Sequence, residues 1–251
     1  MNVLSVRSRT MILNSILSSP ITSIAFSKND ERLGVGLEDG ILALMSPESD
    51  WESVGEIDQS EGCISCQDWS TNMLACARMN GSVALFEIDK VFDNFFVPVT
   101  EFTSDHPVRS LAFGSDGELL AIGGDNGILS IFSAQNGWDY FYRIDIGYSV
   151  LSIKWSPDDR YLALASAGIP CSVYDTTTWT TVEEATESVS STFTDENSYI
   201  SCLAWSIEGK WIAMGGIGSG INTLDTSTWS FTESLANDHS AATANSDNLD
   251  T

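Results

Sequence analysis

Apolar residues in this chain fall in short runs with period two, and one such run returns five times: residues 21–27 (ITSIAFS), 64–70 (ISCQDWS), 108–114 (VRSLAFG), 150–156 (VLSIKWS) and 200–206 (ISCLAWS). Alternation of this length predicts strands, because successive strand side chains point to opposite faces of a sheet. In the third copy Leu111 and Phe113 are assigned to one face, and Val108, Ser110 and Ala112 to the other. Each run carries an aromatic anchor, namely Phe26, Trp69, Phe113, Trp155 or Trp205, and successive anchors lie 43, 44, 42 and 50 residues apart. That period suits four short strands with their turns and is too long for a leucine-rich or ankyrin unit.

The rest of each unit follows in register. A polar turn such as 114–117 (GSDG) or 156–159 (SPDD) leads to a second strand, 119–123 (LLAIG), 161–165 (YLALA) or 211–215 (WIAMG). Asp39-Gly40, Asn80-Gly81 and Asn126-Gly127 then predict tight hairpins built on positive-φ residues. The third strand ends on Met45, Phe86, Phe132, Tyr174 or Leu224; four of these lie 19 positions after their anchors and Phe86 lies 17 after Trp69, a two-residue deletion. Trp51, Trp138, Trp179 and Trp229 fall 24 or 25 positions after their anchors and are assigned to a fourth, outer strand, where they would cover the sheet edge and pack between units. With Trp211 and the three Trp anchors they account for all 8 tryptophans, leaving none as an obvious ligand stack.

The recurring Val/Ile-x-Ser/Cys-x-x-Phe/Trp-Ser strand, the Ser-x-Asp-Gly turn, the Leu-Ala-x-Gly strand and the Asp/Asn-Gly turn resemble the WD40-repeat family over residues 1–235. Tyr174-Asp175 and Leu224-Asp225 stand where that family places Trp-Asp, and Asp105-His106 is the remnant of its Gly-His pair. The family's Asp, His, Ser/Thr and Trp hydrogen-bonded tetrad cannot be assembled here, which implies blades of lower stability. The resemblance implies an all-β, WD40-like β-propeller of four-stranded antiparallel blades, with five full repeats plus an incomplete N-terminal blade. Residues 3–7 read as a third strand and 10–16 as a fourth, giving 22 strands, which divide into no whole number of blades. An unfinished blade leaves strand edges unpaired, so the expectation is a fragment of a larger propeller, or an open arc completed by a partner chain. Residues 236–251 are small and polar and are expected to form a disordered tail.

Composition narrows the partners. The 251 residues carry 35 acidic against 11 Lys and Arg side chains, a formal charge of −24, with 43% hydrophobic residues to build a core. Phosphate binding draws on clustered Lys and Arg, so direct nucleic-acid or acidic-membrane affinity is not expected, and basic protein segments suit the surface better. No run approaches the roughly 18 apolar residues of a membrane span, and no secretory signal is seen. Five cysteines without framework spacing fit a reducing compartment, so an intracellular location, cytoplasmic or nuclear, is expected.

Each candidate chemistry has a plainer structural alternative. Cys63-x-x-Cys66 has no second ligand pair, and Cys66 and Cys202 share a column with Ser23, Ser110 and Ser152, so no metal is expected. The segment 215–220 (GGIGSG) aligns with the hairpin turn at 123–127 and leads into a strand, not a phosphate-cradling helix; no cofactor is expected. His106 and His239 are the only histidines, leaving no base for a nucleophile and no catalytic residue to name. The acidic groups Asp30-Glu31, Glu183-Glu184 with Glu187, and Asp195-Glu196 are placed in turns or in the long last connection, as solvated surface or as a contact for a basic partner.

One departure from the repeat supports a partner-binding site. In the second unit Gln67 replaces Ile or Leu, Asp68 replaces Ala or Lys, and Arg78 replaces Gly, Ser or Leu; in the third, Arg109 occupies a column otherwise Thr, Ser or Leu. Arg78 and Arg109 would emerge on one rim beside the channel as a fork for a carboxylate or phosphorylated side chain, the alternative being pairing with Asp68 or Asp125. The chain is therefore expected to be a non-catalytic protein–protein interaction scaffold, a subunit or adaptor in a multi-protein complex. The alternatives are a propeller hydrolase or lactonase, and an accessory propeller of a larger enzyme. Inner-strand columns of mostly Ser, Cys, Ile and Leu speak against a metal in the channel.

Overall fold

The computed structural model describes residues 2–4, 11–14, 19–58, 62–88, 97–168, 171–192, 199–217 and 220–235. Strands β1 (Asn2–Leu4) and β2 (Met11–Asn14) pair antiparallel where the two N-terminal strands were expected. Five four-stranded antiparallel meanders follow. The first blade holds β3 (Ile21–Phe26), β4 (Leu33–Leu37), β5 (Ile41–Met45) and β6 (Ser53–Asp58). The second holds β7 (Ile64–Trp69), β8 (Met73–Arg78), β9 (Ser82–Glu87) and β10 (Thr100–Thr103). The third holds β11 (Val108–Phe113), β12 (Leu119–Gly124), β13 (Ile128–Ser133) and β14 (Asp139–Asp145). The fourth holds β15 (Val150–Trp155), β16 (Tyr161–Ser166), β17 (Ser172–Asp175) and β18 (Thr180–Thr181), and the fifth β19 (Tyr199–Trp205), β20 (Trp211–Ile217), β21 (Ile221–Asp225) and β22 (Ser230–Leu235). First strands pack on one another in the series β3, β7, β11, β15, β19, as the inner strands of a propeller do. The expected tail at 236–251 lies outside the described residues.

The same bulge interrupts every first strand. Pairing with the second strand slips between Ile21 and Ser23, Ile64 and Cys66, Val108 and Ser110, Val150 and Ser152, and Ile200 and Cys202. One extra residue flips the face of everything before it. Val108 consequently packs with Leu111 and Phe113 against the second blade, and only Ser110 and Ala112 turn toward the fourth, which corrects the simple alternation assigned from sequence. The column holding Ser23, Cys66, Ser110, Ser152 and Cys202 meets Gly36, Ala77, Gly123, Ala165 and Gly215 across the ladder, so small residues face small residues there.

In the first three blades the hairpins between second and third strands are tight, with positive φ only at the glycine. Gly40, Gly81 and Gly127 have φ of 90°, 91° and 69°, while Asp39, Asn80 and Asn126 instead accept the amide two residues on through Oδ1, at 3.2, 2.9 and 3.1 Å. This is a turn closed by an Asx side chain followed by a left-handed residue. At Gly81 a Cβ would lie 2.2 Å from the Ser104 carbonyl, so backbone contact as well as φ excludes a side chain.

The outer-strand assignment of four tryptophans is corrected. Trp51, Trp138, Trp179 and Trp229 precede the fourth strands and adopt left-handed backbone, with φ of 63°, 64°, 57° and 51°. In the first three the amide donates back to Ser46, Ser133 or Asp175 at 2.7–2.8 Å, which closes the turn. That geometry tucks the indole under the blade: Trp51 meets Phe26 edge-on at 6.0 Å, Trp138 meets Phe113 at 5.7 Å and Trp179 meets Trp155 at 6.2 Å. Trp229 instead meets Tyr161 of the fourth blade at 5.2 Å. A left-handed residue costs roughly 1–2 kcal/mol, and edge-to-face contact together with apolar burial offsets it.

Among the described residues four buried clusters join neighbouring blades, and a fifth, Leu33, Val35, Leu37, Ala43 and Met45, belongs to the first blade alone. Leu42, Leu44 and Ile57 pack on Ile64, Leu74 and Phe86, and Leu129 and Ile131 pack on Val150, Ile153 and Leu162. Anchors also clasp the preceding blade by hydrogen bond: indole Nε1 of Trp69, Trp155 and Trp205 donates to the carbonyls of Ala25, Ala112 and Lys154 at 3.1, 2.9 and 3.0 Å. The last interface contains helix α1 (Glu183–Thr192), which buries Ala185 and Val189 against Val173 and Leu224. This helix occupies the long connection of the 50-residue repeat, where Glu183, Glu184 and Glu187 were expected in turns or in that connection and prove helical; Asp195-Glu196 lies outside the described residues. The first strand of the first blade is more open than its inner equivalents: Ile24 and Phe26 are 62% and 48% exposed, whereas their counterparts Leu111 and Phe113 are each 3% exposed.

Candidate interaction site

Arg109 is the extra residue of the third blade's bulge, which frees its side chain from the ladder and aims it outward. Its guanidinium grips Asp125 with two bonds of 2.9 Å and remains 43% exposed. Asp125 also accepts Ser149 Oγ at 2.7 Å, tying the hairpin of the third blade to the start of the fourth. The Arg109 bond holds the Asp125 carboxyl below the ordinary carboxylate range. Arg78 has a different environment: it is 4% exposed, its Nη1 donates to Ser82 Oγ at 2.6 Å, and Nε and Nη2 make no hydrogen bond. The two arginines therefore do not present one exposed fork; Arg109 takes Asp125 and Arg78 turns into the sheet.

Asp68 serves the second interface. Phe113 has no indole N–H with which to clasp the preceding blade, and the residue in the column of Ala25, Ala112 and Lys154 is here Asp68. Its Oδ2 accepts the backbone N–H of Phe113 at 2.8 Å, so a carboxylate supplies the bridge where the anchor cannot. Burial pushes the Asp68 carboxyl above its usual range against the opposing pull of that hydrogen bond and of Lys154 and Lys28. Gln67 is accommodated in a similar way. Its Nε2 donates to Ser23 and Gly34, and a Cβ on Gly34 would lie 2.2 Å from Gln67 Oε1.

Two concavities are walled by separate blades. One of about 430 Å³ lies between the second and third, where Phe102 stacks on Phe132 at 4.3 Å and Tyr140, His106 and Arg143 line the opening. The other, about 440 Å³, lies where the first strands end and takes residues from all five blades, among them Lys28, Asp68, Phe113, Lys154, Trp155, Trp205 and Ile207. Neither lysine stands out in the sequence: Lys154 shares a column with Ala25, Asp68, Ala112 and Ala204, Lys28 follows the first strand in another column, and only the structure brings the two to one cavity. Burial pushes the thiols of Cys66, Cys76 and Cys171 up to about 12, which keeps them protonated and unreactive near neutral pH. Among the described residues no three His, Cys, Asp or Glu side chains come together to hold a metal ion, and no helix is long and apolar enough to cross a membrane.

Comparison with known proteins agrees with this architecture. The family model for the anaphase-promoting complex subunit 4 WD40 domain matches residues 70–145, and that for the WD domain, G-beta repeat matches residues 187–222. The chain is similar to WD repeat-containing protein slp1 of Schizosaccharomyces pombe, 23% identical over 60% of this chain and 30% of that protein. It is also similar to pre-mRNA-processing factor 19 of Oryza sativa subsp. japonica, 24% identical over 58% of this chain and 28% of that one. The match thus spans less than a third of the length of either relative. A chain in a crystal structure of the mitotic checkpoint complex shares the fold with a TM-score of 0.76 at 18% identity, over 93% of this chain and 70% of that one. Five meander blades with a common bulge and anchors that clasp the blade before them thus go with a chain that is similar to WD40-repeat proteins over the residues matched.

Proposed function

We propose that this chain is a non-catalytic protein-interaction scaffold, a subunit or adaptor within a multi-protein complex of the cytoplasm or nucleus. The observation that carries the reading is the channel mouth, where five blades fixed to one another by hydrogen bonds and packed cores bring unlike side chains into one surface. A surface preorganised in this way loses little conformational entropy on binding, and its loops vary without disturbing the ring. The relatives support the reading: one is named for its WD repeats, another for pre-mRNA processing, and the similar fold was seen inside an assembly.

On the opposite rim, Arg109 with Asp125 is the contact assigned to a partner, since that side chain is 43% exposed while its position is fixed; Arg78 supports the hairpin beside it and Asp68 holds the blades together. Affinity purification of the full chain followed by mass spectrometry tests the proposal. A reproducible, stoichiometric set of proteins that loses members on Arg109→Ala, with thermal stability kept, is the expected result. Recovery of the chain alone, together with turnover of an ester or lactone panel, would overturn it.

A further inference from the structure

We infer that the channel mouth at the ends of the first strands is a docking site for an acidic protein segment, with Lys28 and Lys154 as its two cationic contacts. The chain has 4 lysines against 35 acidic residues, yet two of the four line this single cavity of about 440 Å³, one from the first blade and one from the fourth. Both side chains are exposed, and neither ammonium is within ion-pair distance of a carboxylate among the described residues, where the pairs are Arg109 with Asp125 and Arg160 with Asp175. Asp68, the one acid lining the cavity, feels both lysines and accepts the Phe113 amide through Oδ2, so a single buried carboxyl stands against two ammonium groups. Two positive charges thus face a concave space in a molecule whose surface is otherwise strongly negative, and low-dielectric walls strengthen such a local field.

The walls define the rest of the ligand. Trp155 and Trp205 flank the lysines, and Ile207 stands 93% exposed at the lip, so apolar area borders the charges. A carboxylate carried next to a large aliphatic side chain matches that order, whereas a nucleic-acid backbone would bring many phosphates against an overall charge of −24. The inference deepens the scaffold reading by naming one partner chemistry and its place, distinct from the rim at Arg109.

The test is calorimetric titration of the full chain with an acetylated, amidated Glu-Asp-Leu-Glu-Asp peptide and with its Gln-Asn-Leu-Gln-Asn counterpart, read in parallel by indole emission from the mouth. The acidic peptide should bind at least about tenfold more tightly than the neutral one, an advantage that shrinks as salt rises. Lys28→Gln with Lys154→Gln should remove that advantage, and Lys28→Arg with Lys154→Arg should keep it; both side chains project into solvent, and thermal unfolding confirms that each variant is folded. Equal or undetectable binding of the two peptides, an unchanged advantage in the glutamine variant, or tighter binding of inorganic phosphate or oligothymidylate would overturn the inference. If the purified partner set survives the glutamine variant and the peptides do not bind, the docking site fails and the scaffold reading stands.

Discussion

Gly34 and Gln67 show how single residues in different blades are fitted to each other. The other blades carry Ala at the Gly34 position and Ile or Leu at the Gln67 position, and the missing methyl group makes room for the amide that bonds back to Gly34 O at 3.0 Å. Gly34→Ala should destabilise the fold by about 1–3 kcal/mol through overpacking, and Gln67→Ile should recover part of that loss in a double-mutant cycle by thermal unfolding. Asp68 gives a pH signature. Its carboxyl is raised by burial, so the stabilisation tied to its protonated form is fully present below the unfolded-state value and is lost as pH rises through the folded one. Asp68→Asn keeps an acceptor for Phe113 and removes the charge, so its melting temperature should equal or exceed that of the parent at pH 7, and the difference should fade below about pH 4. These substitutions were visible in the sequence as departures from the repeat. Their cause was not, because each compensates a residue 33 or 45 positions away in the neighbouring sheet.

At the scale of the element, strand existence and order were legible from alternation and turn residues, and the anchors close the first strands as expected. What period-two reading missed was the bulge: an extra residue at Thr22, Ser65, Arg109, Leu151 or Ser201 changes the face of Val108 and its equivalents while leaving composition untouched. The tryptophans before the outer strands were misplaced for a related reason, since a left-handed backbone at a bulky residue has no propensity signal and is fixed by the ring it packs on. Helix α1 hid behind its acidic first turn, where Glu183 and Glu184 favourably face the helix N-terminus while Ala185 and Val189 turn inward. Val189→Asp should therefore lower the melting temperature sharply by placing a charge in the last inter-blade core, and Glu187→Ala on the exposed face should leave it nearly unchanged, as differential scanning fluorimetry would show.

For the whole molecule, the chain coheres because each blade grips the one before it, and this is also what makes a surface shared by five blades possible. The propeller class could be read from the sequence because a repeat multiplies a weak signal fivefold. The channel lysines could not be, since they belong to different columns that only the stacking of blades brings to one cavity. The rim pair was half legible: Arg109 and Asp125 were named together as an alternative, while Arg78 is buried at the end of β8 beside Ser82. The claim on which all of this rests is the bridge from anchor to preceding blade, and thermal unfolding of Asp68→Ala with and without Phe113→Trp tests it most directly. Asp68→Ala should cost about 1–3 kcal/mol by leaving a buried amide unpaired, and Phe113→Trp should restore much of that stability by supplying the indole bond used at the other three interfaces. An Asp68→Ala chain as stable as its parent, or one that the tryptophan fails to rescue, would contradict the account.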